Sequence, residues 1–141
     1  MNIYIVDASV AAKWFTEEEY AEEALRLLVG GNPLHAPDFF MLEMDSVVCK
    51  WVRRGIINED DGQAVRAALR RLPIQKHPFA PLQDSAYAIA SQTGQSVYDC
   101  LYVALAAILK GRMVTADRGL YDALKNGPLG RHLLWVEDAA G

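Results

Sequence analysis

Between Ser96 and Lys110 the chain reads Val-Tyr-Asp-Cys-Leu-Tyr-Val-Ala-Leu-Ala-Ala-Ile-Leu, a segment in which Asp99 alone carries a formal charge. Ser96 suits an N-cap and Lys110-Gly111 a helix exit, so the segment is expected to be one helix over 97–109. A helix that is apolar all round has no face for water and must be covered by other elements. A chain of 141 residues, 52% hydrophobic and 23% charged, has enough apolar surface to cover it in a packed fold. Asp99 then poses a chemical question. A carboxylate in so dry a setting either protonates or meets a cation, although acids in a first turn also serve the helix dipole.

The rest of the chain alternates short apolar runs with amphipathic stretches. Strands are expected at 2–6, 34–36, 74–76, 113–115 and 133–136. Helices are expected over 9–15, 18–29, 39–54, from an Asn58 cap to about 72, from 82 to a stop at Gly94, and over 120–124. Short strands alternating with helices indicate a parallel sheet covered on both faces. The expected class is therefore α/β, an α/β/α sandwich around a short parallel sheet of four to five strands. No repeat, low-complexity tract or Ser/Gly linker divides the chain, which reads as a single domain over 1–141.

The net charge of −4 argues against an extended basic surface, so a nucleic acid would have to be met by a local patch or a metal-filled cleft. The start, Met-Asn-Ile-Tyr-Ile-Val-Asp, lacks the basic leader and apolar length of a signal peptide. No stretch approaches the roughly 20 apolar residues of a membrane span, and a cytoplasmic location is expected. Cys49 and Cys100 fall in apolar helical patterns and are expected to be buried free thiols. His35, His77 and His132 are scattered without ligand spacing, which argues against zinc and makes them structural or exposed.

In open α/β sheets ligands lie beyond the carboxyl ends of the strands. Asp7 ends the first strand and Asp117 follows Val114-Thr115-Ala116, each with a hydroxyl two positions away, Ser9 and Thr115. Either aspartate can also serve as a plain helix cap. Glu43 shares a helical row with Ser46, Val47 and Lys50, whereas Asp45 points elsewhere, so only one of these two acids can readily join a shared site. Four carboxylates in one cleft would repel one another unless cations neutralised them, and oxygen-only ligands select hard ions such as Mg²⁺ or Mn²⁺. Ser9 and Thr115 are candidates to orient a water or phosphate oxygen, or simply to cap nearby backbone. Lys13, Lys50, Arg53, Arg54, Arg112 and above all Arg118 are candidates to receive a phosphate backbone.

Four blocks carry a family resemblance: the strand-Asp7-Ala8-Ser9 start, Pro37-Asp38 to Glu43, Ser96 to Ala106, and Thr115-Ala116-Asp117. In this order and spacing, over residues 2 to about 136, the chain resembles a PIN domain, and more narrowly the VapC toxins of toxin–antitoxin pairs. The resemblance implies a Mg²⁺- or Mn²⁺-dependent endoribonuclease with Asp7, Glu43, Asp99 and Asp117 at the metal site. It also implies 5′-phosphate and 3′-hydroxyl products, a homodimer, and inhibition by a VapB-like antitoxin. The family often carries Asn where Ser46 stands. A haloacid-dehalogenase phosphatase needs a second Asp where Ser9 stands, and a receiver domain needs an acid pair after the first strand. Two alternatives remain: a PIN-domain RNA-processing nuclease that is not a toxin, and a non-catalytic PIN-like binding module.

Overall fold

Five short parallel strands form one sheet in the order β3-β2-β1-β4-β5: β1 Tyr4–Val6, β2 Leu34–Pro37, β3 Ile74–His77, β4 Arg112–Thr115 and β5 Leu133–Trp135. The structure is a computed structural model and describes residues 2–139. The helices are α1 Ala8–Ala12, α2 Ala21–Val29, α3 Phe40–Arg53, α4 Glu59–Arg71, α5 Gln83–Thr93, α6 Val97–Leu109 and α7 Arg118–Leu124, and they flank the sheet. The α/β/α sandwich expected from the sequence is therefore the fold observed.

Local chemistry sets most boundaries. The Asn58 side chain accepts from the Asp61 amide at 2.8 Å and opens α4, and Ser96 accepts from the Asp99 amide at 3.1 Å and opens α6. Gly94, at φ 76, closes α5 in the left-handed region that glycine occupies without strain. The helix expected from residue 18 begins instead at Ala21, because Tyr20 adopts φ 67 and packs its ring edge-on against Trp135 at 5.6 Å. The stretch expected to be helical over 9–15 divides into α1 and a 3₁₀ turn at Lys13–Phe15.

All three residues of β1 are buried, as suits a central strand covered on both faces. The edge strand β3 buries Ile74 but exposes Gln75 and Lys76, which discourages further strand pairing. Ile5, Val6, Phe40, Met44, Val103, Leu105 and Met113 are fully enclosed. Removing each such side chain from water contributes about 1.5–3 kcal/mol.

Two expectations about burial need correction. Cys100 is buried, but Cys49 is exposed. The enclosed stripe of α3 is Phe40, Met44 and Val48, and Cys49 stands about 100° round the helix from Val48. Nor is α6 dry along its whole length. Cys100 to Ala106 are buried, whereas Tyr98 and Ile108 are each 65% exposed, so both helix ends emerge from the core. Asp99 is consequently half-buried rather than enclosed. Among the described residues no helix is long and apolar enough to cross a membrane.

Candidate active site

The strand order reverses direction at β1. From β1 the chain steps to β2 and β3 on one side, then returns to build β4 and β5 on the other. Carboxyl ends at such a switch point leave a crevice, because the following connections diverge. Val6 is paired with Val114, so the residues that follow, Asp7 and Thr115, are brought side by side at that switch point.

Asp7 is the most enclosed acid of the cluster, at 5% exposure, and both of its oxygens are held. Oδ1 accepts from the Ser9 hydroxyl at 2.6 Å and from the Val10 amide at 3.0 Å, and Oδ2 accepts from the Thr115 hydroxyl at 2.9 Å. Each hydroxyl is oriented in turn by the β4–α7 connection. Ser9 Oγ accepts from the Ala116 amide at 3.2 Å, and Thr115 Oγ1 from the Asp117 amide at 3.1 Å. Ser9 and Thr115 thus aim at the carboxylate rather than only capping local backbone. Burial pushes the Asp7 carboxyl up from 3.8 to about 6, and its hydrogen bonds offset only part of that effect.

Asp99 is the acid that the others share as a charged neighbour. The Asp99 charge further raises both Asp7 and Glu43, and the Asp117 charge raises Asp99. Burial is the larger cause for Glu43 and Asp99 as well. Glu43 accepts a hydrogen bond from Tyr102 Oη at 2.7 Å. Tyr102 lies one turn beyond Asp99 on the same face of α6, a spacing that could have pointed to it in the sequence. Asp45 is taken up elsewhere by two bonds to Arg66, at 2.6 and 3.1 Å, which leaves Glu43 as the acid that α3 offers the crevice. Asp117 is exposed and caps α7 by accepting from the Leu120 amide at 3.2 Å.

The order of physical weight among the acids therefore changes. The sequence singles out Asp99 for its dry surroundings, but the structure makes Asp7 the costlier charge. Arg118 is drawn aside, with its guanidinium 3.8 Å over the Trp135 ring and 3.8 Å from Asp122. The histidines are less scattered than their spacing suggests, because neighbouring strands bring His35 Nδ1 within 2.8 Å of His77 Nε2.

Asp7, Glu43 and Asp99 are carboxylates whose ionised forms are disfavoured, and a nearby positive charge would stabilise each of them. Their donors are all oxygens, which fits a hard divalent cation better than zinc or copper. Among the described residues no three His, Cys, Asp or Glu side chains stand close enough together to enclose an ion unaided.

Known proteins place this arrangement in a family. The PIN domain model matches residues 4–125. Ribonuclease VapC3 of Pyrobaculum aerophilum is 34% identical over 118 residues, covering 82% of this chain and 90% of its own length. The crystal structure of PAE2754 from the same organism superposes with a TM-score of 0.70 at 22% identity, covering 96% of this chain and 85% of that one. VapBC2 from Rickettsia felis, solved bound to a DNA fragment from its promoter, superposes with a TM-score of 0.64 at 16% identity, covering 94% and 98%. With its fold and these relatives in agreement, the chain belongs to the PIN domain family and groups with the VapC ribonucleases.

Proposed function

We propose that this protein is a divalent-metal-dependent endoribonuclease, the toxin of a VapBC-type pair. The observation that carries the reading is Asp7: a buried carboxylate at the carboxyl ends of β1 and β4, fixed at both oxygens and destabilised further by the charge of Asp99. Such a charge is costly without a cation and useful with one.

Asp7 and Asp99 are the principal ligands for Mg²⁺ or Mn²⁺ in this reading, with Glu43 and Asp117 completing the set. When bound, the ion would supply Lewis acidity toward the phosphodiester and toward a water, and the products expected of that hydrolysis carry 5′-phosphate and 3′-hydroxyl ends. The protein's own part is positional. Ser9 and Thr115 fix the Asp7 carboxylate before any ligand arrives, so little side-chain ordering is left for binding. Tyr102 keeps Glu43 from swinging into solvent. The Rickettsia felis VapBC2 complex supports a VapB-like antitoxin as partner, and the family reading extends to a cytoplasmic homodimer of single-domain chains over 1–141.

Incubation of the purified protein with total RNA is the direct test, with Mn²⁺ or with EDTA, beside Asp7→Asn and Asp99→Asn. Cleavage should require the ion and be lost in both variants. Cleavage that persists in EDTA and in both variants would overturn the reading. RNA binding without cleavage in Mn²⁺ would point instead to a non-catalytic module. Growth arrest on expression, relieved by a small neighbouring gene product, separates a toxin from an RNA-processing nuclease.

A further inference from the structure

At the end of the sheet opposite the carboxylates the chain builds a second cleft of opposite charge. β4 begins at Arg112, and β5 follows a 3₁₀ turn at Gly130–His132, so the amino ends of two neighbouring strands meet there. Lys110, Arg112, Arg131 and His132 line a cavity of about 550 Å³, and an adjoining hollow of about 140 Å³ shares Lys110 and Arg112. No Asp or Glu lines either hollow, although the chain as a whole carries a net charge of −4. Among the described residues Lys110, Arg112 and Arg131 form no ion pair, as holds for most basic side chains of the chain, only Arg26, Arg66, Arg118 and Lys125 being paired.

Two features indicate that the cluster is built rather than left over. Lys110 ends α6 in the left-handed region, at φ 58, where glycine would be less strained. The glycine stands one position later because a Cβ at Gly111 would lie 2.5 Å from the Ile3 carbonyl oxygen. A cation at the negative end of a helix dipole explains Lys110 in part, but not Arg112 or Arg131. The second feature is an oriented guanidinium. His132 Nδ1 lies 3.0 Å from the Gly111 carbonyl, to which it donates, so in the neutral ring Nε2 is an acceptor and takes the Arg131 Nε–H at 3.3 Å. Arg131 is thus held at Nε, while its two terminal amino groups have no protein partner among the described residues.

We propose that this cleft is an anion site for the phosphate of a nucleotide, separate from the carboxylate crevice and independent of the reaction proposed there. A guanidinium presents paired donors that match two phosphate oxygens, and Arg112 and Lys110 add fixed positive charge. The open hollow's volume of about 550 Å³ lies within the roughly 300–1,000 Å³ of small-molecule sites. The four residues of β4 separate it from the acids by roughly 13 Å of strand. The phosphate belongs either to a free nucleotide or to one unit of an RNA strand.

The test uses the full chain in EDTA, which prevents metal-dependent cleavage, with two probes: a nucleoside 5′-monophosphate and a fluorescein-labelled hexaribonucleotide. Binding is measured for wild type, Arg112→Gln/Arg131→Gln, Arg131→Lys and Asp7→Asn, with melting curves to confirm that each is folded. The double variant should weaken binding by about tenfold or more. Arg131→Lys, which keeps the charge but loses the fork and the His132 bond, should weaken it by about threefold. Asp7→Asn should bind no more weakly than wild type. Loss of monophosphate binding assigns the site to free nucleotides. Loss confined to the hexamer, with a salt slope lower by about 2, assigns it to strand phosphates. If neither probe binds, or both bind the folded double variant as they bind wild type, the proposal is overturned.

Discussion

Replacing Asp7 by Asn should stabilise the metal-free protein at neutral pH, an unusual expectation for a buried, fully hydrogen-bonded residue. The Asp7 carboxyl is raised from 3.8 to about 6 on folding. At about 1.4 kcal/mol per tenfold change in equilibrium, that shift amounts to about 3 kcal/mol. The sign follows from proton linkage. Between the two values the folded state holds a proton that the unfolded state has released, so stability falls as pH rises from about 4 to about 6 and stays low above. Asn removes the charge while keeping an oxygen for the Val10 amide, so the cap on α1 survives. With an unfolding entropy of about 0.3 kcal/mol per degree for a chain this long, the full effect is a gain of about 10 °C in Tm at pH 8, less whatever the hydroxyl bonds lose. The assay is thermal melting in EDTA from pH 4 to pH 8 for both proteins. The variant's advantage should grow with pH through this window, and addition of Mn²⁺ should raise the wild type but not the variant. A variant that melts below wild type by the same margin at pH 4 and pH 8 would refute the argument that burial of charge dominates at Asp7.

Further expectations concern the groups around it. Thr115→Val deprives Asp7 Oδ2 of its donor and should cost about 1.5–3 kcal/mol at pH 8 but less at pH 4, as read by urea melts at the two pH values. Tyr102→Phe removes the hydrogen bond to Glu43 with little loss of packing. Stability should change by about 1 kcal/mol or less, while RNA cleavage slows by about tenfold. Asp45→Asn breaks the pair with Arg66 and should cost about 1 kcal/mol or less, with the cleavage rate in Mn²⁺ unchanged. A cleavage defect in Asp45→Asn matching that of Glu43→Gln would remove the distinction drawn here between the two acids.

Periodicity, caps and punctuation determined the elements of this protein, because these are local properties. Val97–Leu109 is bounded by a serine that caps it and a lysine-glycine exit that ends it, and both signals lie within a few residues of the helix they define. The placement of Asp7 at a strand end was equally legible, since strand, acid and following helix are contiguous. Helical spacing alone also separates Glu43 from Asp45, and the bonds from Arg66 to Asp45 agree with it.

What the sequence could not contain is the energetic rank of those acids, because burial depends on elements that are far apart in the chain. Asp7 is enclosed by Thr115, 108 positions away, while Asp99 opens toward solvent because the first turn of α6 emerges from the core. Tyr102 meets Glu43 across 59 positions, and His35 meets His77 across 42. Lys110, Arg112, Arg131 and His132 look like unrelated surface residues until two parallel strands begin side by side. The sequence by itself determined which residues could do chemistry and which elements carry them. The tertiary structure decided which charges are costly and which lie together, because electrostatic energies depend on distances and burial that exist only once the sheet has formed.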